Sequence, residues 1–80
     1  MQRIRNNRAF GARIRELRNA AHLTQEQVAA KLQLQGYDVS RSIYSQIECG
    51  IHNICVDELI ALKQIFGVTY DDFFAPLEQE

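Results

Sequence analysis

The chain has 80 residues, of which 46% are hydrophobic, so it is long enough for one small domain with a core of its own. It contains neither an apolar run of the ~18 residues that a membrane span requires nor the apolar centre of a secretion signal, so we expect a cytoplasmic protein. Residues 1–48 carry eight basic and four acidic side chains, a net +4, whereas residues 49–80 carry one and six, a net −5. A polyanion would meet the first part of the chain. Many small soluble domains are unevenly charged without such a partner, but the bias fits a protein that offers one face to a phosphate backbone.

The first seven residues, MQRIRNN, are predicted to form a basic arm outside the core. Arg3 and Arg5 suit the phosphates or the minor groove of a nucleic acid. A basic terminus that frays into solvent explains the same residues, and both interpretations stay open. Residues 8–75 are predicted to form the domain, and residues 76–80 a short acidic tail.

The first helix is predicted to run from a cap at Asn6 or Asn7 to about Ala21, because asparagine caps helices well. Its inward face is an apolar stripe with helical spacing, made of Phe10, Ile14, Leu17 and Ala21. Arg18 lies beside this stripe, and a buried arginine there would need an anionic partner.

The second helix is predicted to open at Thr24, because Thr24 and Gln27 have the spacing of a capping box. Apolar residues then recur with a helical period. Gly36 is expected to end the helix, since glycine readily takes the left-handed conformation that follows a last helical turn.

The third helix is predicted to open at Ser40, a good N-cap residue, and to end at Gly50. Its outward face consists of Arg41, Ser42, Ser45 and Gln46. Arginine can donate two hydrogen bonds to a guanine edge, and glutamine can pair with an adenine edge. Base reading is therefore one interpretation of this face, and the polar outer surface of a small bundle is the other.

The fourth helix is predicted to begin near Val56, and a short fifth helix to run from Tyr70 to Phe74; no strand is expected. Tyr70, Phe73 and Phe74 present more apolar area than a five-residue helix can hide. We predict that one or two of them cover the core and that the remainder form a dimer contact, with complete burial in the monomer as the alternative.

Cys49, His52 and Cys55 have the pattern C-x-x-H-x-x-C, which raises the question of zinc. A structural zinc site normally has four protein ligands. Only His22 could complete this set, and it lies in a distant predicted turn. We therefore expect no metal, no cofactor and two buried or half-buried thiols without a disulfide.

The runs GARIRELRNAAHLTQEQVAAKL, VSRSIYSQIECG and VDELIALKQIFGVTYDDFF together resemble the lambda-repressor-like helix-turn-helix family, also called the Cro/CI or Xre group. The resemblance covers roughly residues 8–74 and implies an all-α fold of five helices. The second and third helices would form the helix-turn-helix, with the third in the DNA major groove and the second across the backbone. The connection between them is longer than the family's usual turn.

The resemblance also implies roles for individual residues. DNA bases would be contacted by Arg41, Ser42, Ser45 and Gln46. DNA phosphates would be contacted by Thr24, Gln25, His52 and Asn53, together with Arg3 and Arg5 of the arm. Arg18 and Glu48 would form a buried ion pair that links the first helix to the end of the third.

The predicted function is therefore a sequence-specific regulator of transcription, a repressor that binds a palindromic site in double-stranded DNA as a homodimer. A protein-interaction module with the same fold is the alternative, favoured by the acidic second half of the chain. An enzyme is not expected, because the sequence has no nucleophile–base pair at a readable spacing and no phosphate-cradling glycine loop. No small-molecule ligand or membrane partner is indicated.

Overall fold

The computed structural model describes residues 3–4 and 6–78, and the side chains within residues 6–78. The elements follow in this order: β1 (Arg3–Ile4), α1 (Arg8–Ala20), α2 (Gln25–Leu34), α3 (Arg41–Glu48), β2 (Ile54–Cys55), α4 (Val56–Phe66) and α5 (Tyr70–Phe74). The predicted helical fold class is confirmed. No helix within the described ranges is long and apolar enough to cross a membrane. A 3₁₀ helix, Ala75–Glu78, follows α5 and includes the start of the segment predicted as an acidic tail.

The first two helices begin where capping side chains accept hydrogen bonds from backbone N–H groups of the first turn. Asn7 Oδ1 accepts a hydrogen bond from the backbone N–H of Phe10 at 2.8 Å. Thr24 and Gln27 form the reciprocal pair expected from their spacing, with bonds of 3.1 and 2.9 Å. These donors have no partner inside the helix, so local sequence determines where α1 and α2 start.

All five helices contribute apolar side chains to one core. Its largest fully buried side chains are Ile14, Val28, Leu32, Val39, Tyr44, Ile47, Ile54, Leu62 and Phe73. Both α1 and α2 pack against α3. The inward side of α3 is thus held by two helices, and only its outward side is left for a partner.

The aromatic residues of α5 lie against α1. The ring of Phe73 is fully buried 6.3 Å from the ring of Phe10, measured between centroids, and Phe74 stacks on Phe10 at 5.3 Å. Phe73 is therefore one of the residues that cover the core and is not available for a dimer contact, because α5 packs on α1 and buries this ring within one chain. Phe74 is half-buried, and Tyr70 remains 44% exposed.

The structure contains one strand pair that the sequence pattern did not predict. β1 and β2 pair antiparallel, with Arg3 opposite Cys55 and Ile4 opposite Ile54. Next to this pair, Asn6 is buried and its Nδ2 donates to the backbone carbonyl of Ile47 at 2.8 Å and to that of His52 at 3.0 Å. The residues before α1 are thereby attached to the segment that follows α3.

The end of α3 approaches the start of α1 so closely that glycine is required there. Gly50 has a positive φ of +79°, and a Cβ at this position would lie 2.5 Å from the carbonyl carbon and oxygen of Asn7. Gly36 also has a positive φ, +94°, but a Cβ there would meet no atom within 4 Å. Substitutions at Gly36 and Gly50 therefore distinguish the effect of backbone strain alone from the effect of strain combined with a steric clash.

We expect Gly36→Ala to lower the free energy of unfolding by about 1–2 kcal/mol through backbone strain alone. Gly50→Ala adds a collision with the backbone before α1, so its loss should reach about 3 kcal/mol or more. Urea denaturation followed by circular dichroism measures both values. Equal losses in the two variants would contradict the close approach of α1 and α3.

Candidate nucleic-acid interface

α3 turns one side toward the core and the other toward solvent. Ser40 caps its start by accepting a hydrogen bond from the backbone N–H of Ile43 at 3.1 Å. Tyr44, Ile47 and Glu48 are buried. The predicted base-contacting residues lie on the other side, where Arg41, Ser42 and Gln46 are exposed and Ser45 is half-buried.

The outward side chains of α3 are free to meet a partner. Within residues 6–78, no hydrogen bond or ion pair engages the side chains of Arg41, Ser42, Ser45 and Gln46. A guanidinium, two hydroxyls and a carboxamide are therefore displayed on a short rigid helix. This set has the donors and acceptors that recognise base edges.

The segment after α3 folds back onto the helix. The backbone carbonyl of Gln46 accepts hydrogen bonds from the N–H groups of Ile51 at 2.9 Å and of His52 at 3.2 Å. Asn53 Oδ1 accepts from the backbone N–H of Asn6 at 2.9 Å. Asn53 is exposed and His52 half-buried, so both predicted phosphate contacts lie beside the end of α3.

A buried ion pair joins α1 to the last residue of α3. Arg18 Nε donates to Glu48 Oε2 at 2.6 Å, and Arg18 Nη2 donates to Glu48 Oε1 at 3.1 Å. The remaining terminal nitrogen, Nη1, donates to the backbone carbonyl of Leu23 at 2.8 Å. The pair named from the family resemblance is thus in contact, and it also holds the turn that leads into α2.

The surroundings of this pair shift the ionisation of its members. Burial alone would raise the pKa of Glu48, but hydrogen bonds from Arg18 and Gln25 outweigh burial and hold that pKa below its usual value. The Tyr44 hydroxyl is buried nearby, and no hydrogen bond of good geometry reaches it among the described residues. Burial raises the pKa of Tyr44 far above the usual range.

Gln25, predicted to contact phosphate, makes a contact that the sequence pattern did not reveal. It is the first residue of α2 and is half-buried, and its Nε2 donates to Glu48 Oε1 at 2.9 Å. The two residues are 23 positions apart, and no local spacing signals their contact. Thr24 is exposed just before Gln25, and its hydroxyl is used as the helix cap.

The remaining candidate residues lie apart from this cluster. The backbone of Arg3 belongs to β1, which lies beside the segment that follows α3; its side chain and the whole of Arg5 lie outside the described part of the chain. Cys55 is a buried free thiol, as expected, but Cys49 is an exposed one, so the expected burial of both thiols is wrong for Cys49. Within the described residues, no three metal-ligating side chains come together.

Comparisons with known proteins agree with this geometry. The profile of the helix-turn-helix family matches residues 14–73. The control protein C.MunI of a Mycoplasma species is 32% identical over 72 residues, which cover 89% of this chain and 90% of that protein. The crystal structure of the restriction-modification controller protein C.AhdI from Aeromonas hydrophila superposes with a TM-score of 0.72 at 28% identity, covering 84% of this chain and 94% of that one.

The lowered pKa of Glu48 predicts a dependence of stability on pH. Between the folded and unfolded pKa values the unfolded chain binds more protons, so the contribution of Glu48 is present above the unfolded value of about 4.3 and is lost as the pH falls through the folded one. Urea denaturation over an acidic pH series should show this loss in the wild type.

The matched control is Arg18→Met combined with Glu48→Met, which removes both buried charges and keeps the net charge unchanged. Such replacements are often neutral or stabilising near neutral pH, and the half-buried Asp72, whose pKa is also lowered, is retained. The decline of stability in acid should be smaller in this variant. An identical decline in both proteins would show that Glu48 does not contribute to it.

Proposed function

We propose that this chain, which belongs to the helix-turn-helix family of DNA-binding transcription regulators, reads its operator through the outward face of α3. The observation that carries the proposal is the set of unengaged polar side chains on a helix whose other side is locked in the core. The chain is a regulator and not an enzyme, and its partner is double-stranded DNA. Because the backbone of α3 is held in place, the side chains on its outward face determine which base edges it can recognise.

Arg41 and Gln46 are the proposed readers of base edges. A guanidinium can donate two hydrogen bonds to guanine, and a carboxamide can both accept from and donate to adenine. Ser42 and Ser45 supply shorter hydroxyls that can pair with either kind of base. The proposal is supported by the exposure of Arg41, Ser42 and Gln46 and by the absence of competing bonds to all four side chains within residues 6–78.

The proposed phosphate contacts lie near the end of this helix. Thr24 and Gln25 stand at the N-terminus of α2, where backbone N–H groups and the helix dipole favour an anion. His52 and Asn53 follow the end of α3 in the chain. Ile51, which is 74% exposed, adds no charge there. We expect weak binding to random DNA, because each basic contact to phosphate adds to affinity and to its salt dependence.

The relatives named as control and controller proteins suggest what this regulator governs. We propose that the chain controls transcription of the genes of a restriction-modification system in the bacterial cytoplasm. It would act as a repressor by binding a palindromic site as a homodimer, with the two copies of α3 in successive major grooves ~34 Å apart. A protein bound in this way would block access of RNA polymerase.

Arg41→Ala and Gln46→Ala should each weaken operator binding by about 1–3 kcal/mol and relax the preference for one base pair. Fluorescence anisotropy across single-base operator variants measures both effects, after selection of bound fragments from random DNA has identified the site. Lys31→Ala is the control, because it removes a charge outside α3 and should not alter base preference. Unchanged selectivity after Arg41→Ala would remove α3 from the reading role, and no binding to any duplex would favour a protein-interaction module.

We expect the dimer to be detectable without DNA. The exposed aromatic Tyr70 and the half-buried Phe74 are the predicted contact residues that remain accessible. Sedimentation velocity should give about twice the chain mass of 9.2 kDa, and Tyr70→Ala should weaken the association. A single-chain mass at concentrations that saturate DNA would contradict the dimer.

A further inference from the structure

Three donors from two helices converge on the carboxylate of Glu48. Its Oε2 accepts from Arg18 Nε, and its Oε1 accepts from both Arg18 Nη2 and Gln25 Nε2. Glu48 itself is buried at the end of α3, with 2% of its side chain exposed. The carboxylate therefore cannot touch DNA, but the half-buried Gln25 can reach solvent.

We infer that Glu48 is a positioning residue for Gln25: it fixes the orientation of the amide that meets DNA phosphate, and so couples the phosphate contact of α2 to the base-reading helix α3. The inference rests on the proposed function, because it assigns a cause to the phosphate contact proposed for Gln25. It goes beyond a structural ion pair by giving the buried carboxylate a measurable part in DNA affinity.

The chemistry of the two side chains determines the orientation of the amide. A carboxylate only accepts hydrogen bonds, whereas an amide has two N–H donors and one carbonyl acceptor. The nitrogen of Gln25 must therefore face Glu48, since a flipped amide would oppose two oxygens. One N–H is used at 2.9 Å, and the second remains available to an anion outside. The lowered pKa of Glu48 favours its ionised form, which only accepts hydrogen bonds, so the nitrogen of the Gln25 amide stays turned toward it.

The position of α2 relative to α3 gives this contact its importance. Residues 35–40 connect the two helices, and this connection is longer than the turn expected in the family. One side-chain bond, from Gln33 Nε2 to the carbonyl of Val39 at 2.9 Å, braces the connection at that end. At the opposite end, the bond between Gln25 and Glu48 joins the first residue of α2 directly to the last residue of α3.

Preorganisation is the physical means by which this bond would raise affinity. A free glutamine side chain loses rotamer freedom when it binds a phosphate, and ordering a side chain at an interface costs about 0.5–1.5 kcal/mol. Glu48 already holds the amide in the free protein, so this cost is reduced before DNA arrives. The contribution of Gln25 to DNA binding should therefore depend on the presence of Glu48.

A double-mutant cycle on binding to a short random-sequence duplex at low salt tests this dependence. Gln25→Ala is introduced into the wild type and into the variant Arg18→Met with Glu48→Met, whose net charge is that of the wild type. The unfolding curve of each protein is recorded first, so that affinities are compared only under conditions where all four are folded. Gln35→Ala, a substitution of an exposed glutamine at the other end of α2, is the matched control in both backgrounds.

We expect Gln25→Ala to weaken binding roughly tenfold in the wild type, the value of a hydrogen bond to a charged group. In the charge-free background the same substitution should weaken binding less than about threefold, because the amide is no longer preorganised. Gln35→Ala should leave both affinities unchanged. Equal losses from Gln25→Ala in the two backgrounds, or no loss in the wild type, would overturn the inference while leaving DNA binding intact. A wild-type protein that binds no duplex would overturn the proposed function as well.

Nuclear magnetic resonance of the Gln25 side-chain amide gives a second measurement that needs no DNA. In the wild type the amide proton that faces Glu48 should exchange with solvent more slowly than the other amide proton of Gln25. In the charge-free variant both should exchange at the rate of Gln35, whose side chain is exposed. Rapid exchange of Gln25 in the wild type would show that Glu48 does not hold the amide in solution.

Discussion

A buried ion pair between α1 and α3 is the constraint on which the functional face of this protein depends. A pair of this kind contributes little net stability, because removing both charges from water costs about as much as their attraction returns. Either charge left alone in that position would be strongly unfavourable. The pair therefore constrains the position of α1 relative to α3, since Arg18 and Glu48 must be in contact whenever the chain is folded.

The pair controls more than the distance between two helices. Arg18 also binds the carbonyl of Leu23, and Glu48 also binds Gln25, so the end of the turn and the first residue of α2 are attached to it. The end of α3 is further held by Asn6, which binds the carbonyl of Ile47. The start of α3 is held by the cap at Ser40 and by the buried Val39 before it. An eight-residue helix with few internal hydrogen bonds thus acquires a fixed direction.

The charged residues are divided unevenly between the first and second parts of the chain. The basic excess lies in the first part of the chain, which includes α1, α2 and the start of α3, and the acidic excess lies in α4, α5 and beyond. DNA would be attracted to one part of the molecule and repelled by another, which orients the encounter. Ile51 after α3 is uncharged, so the proposed recognition would depend more on base contacts than on phosphate charge.

The sequence by itself determined the helices and their ends, because caps, glycine stops and apolar spacing are local properties. Thr24 with Gln27, Ser40 and Gly50 all act where their types predicted. The family resemblance then named Arg18 with Glu48 as a pair. Only the tertiary structure decided the contacts between distant residues: the burial of Phe73 against α1, the pairing of β1 with β2, and the bond from Gln25 to Glu48. These contacts depend on how the helices pack in space, and two residues in a strand or a single glutamine leave no periodic signal in the chain.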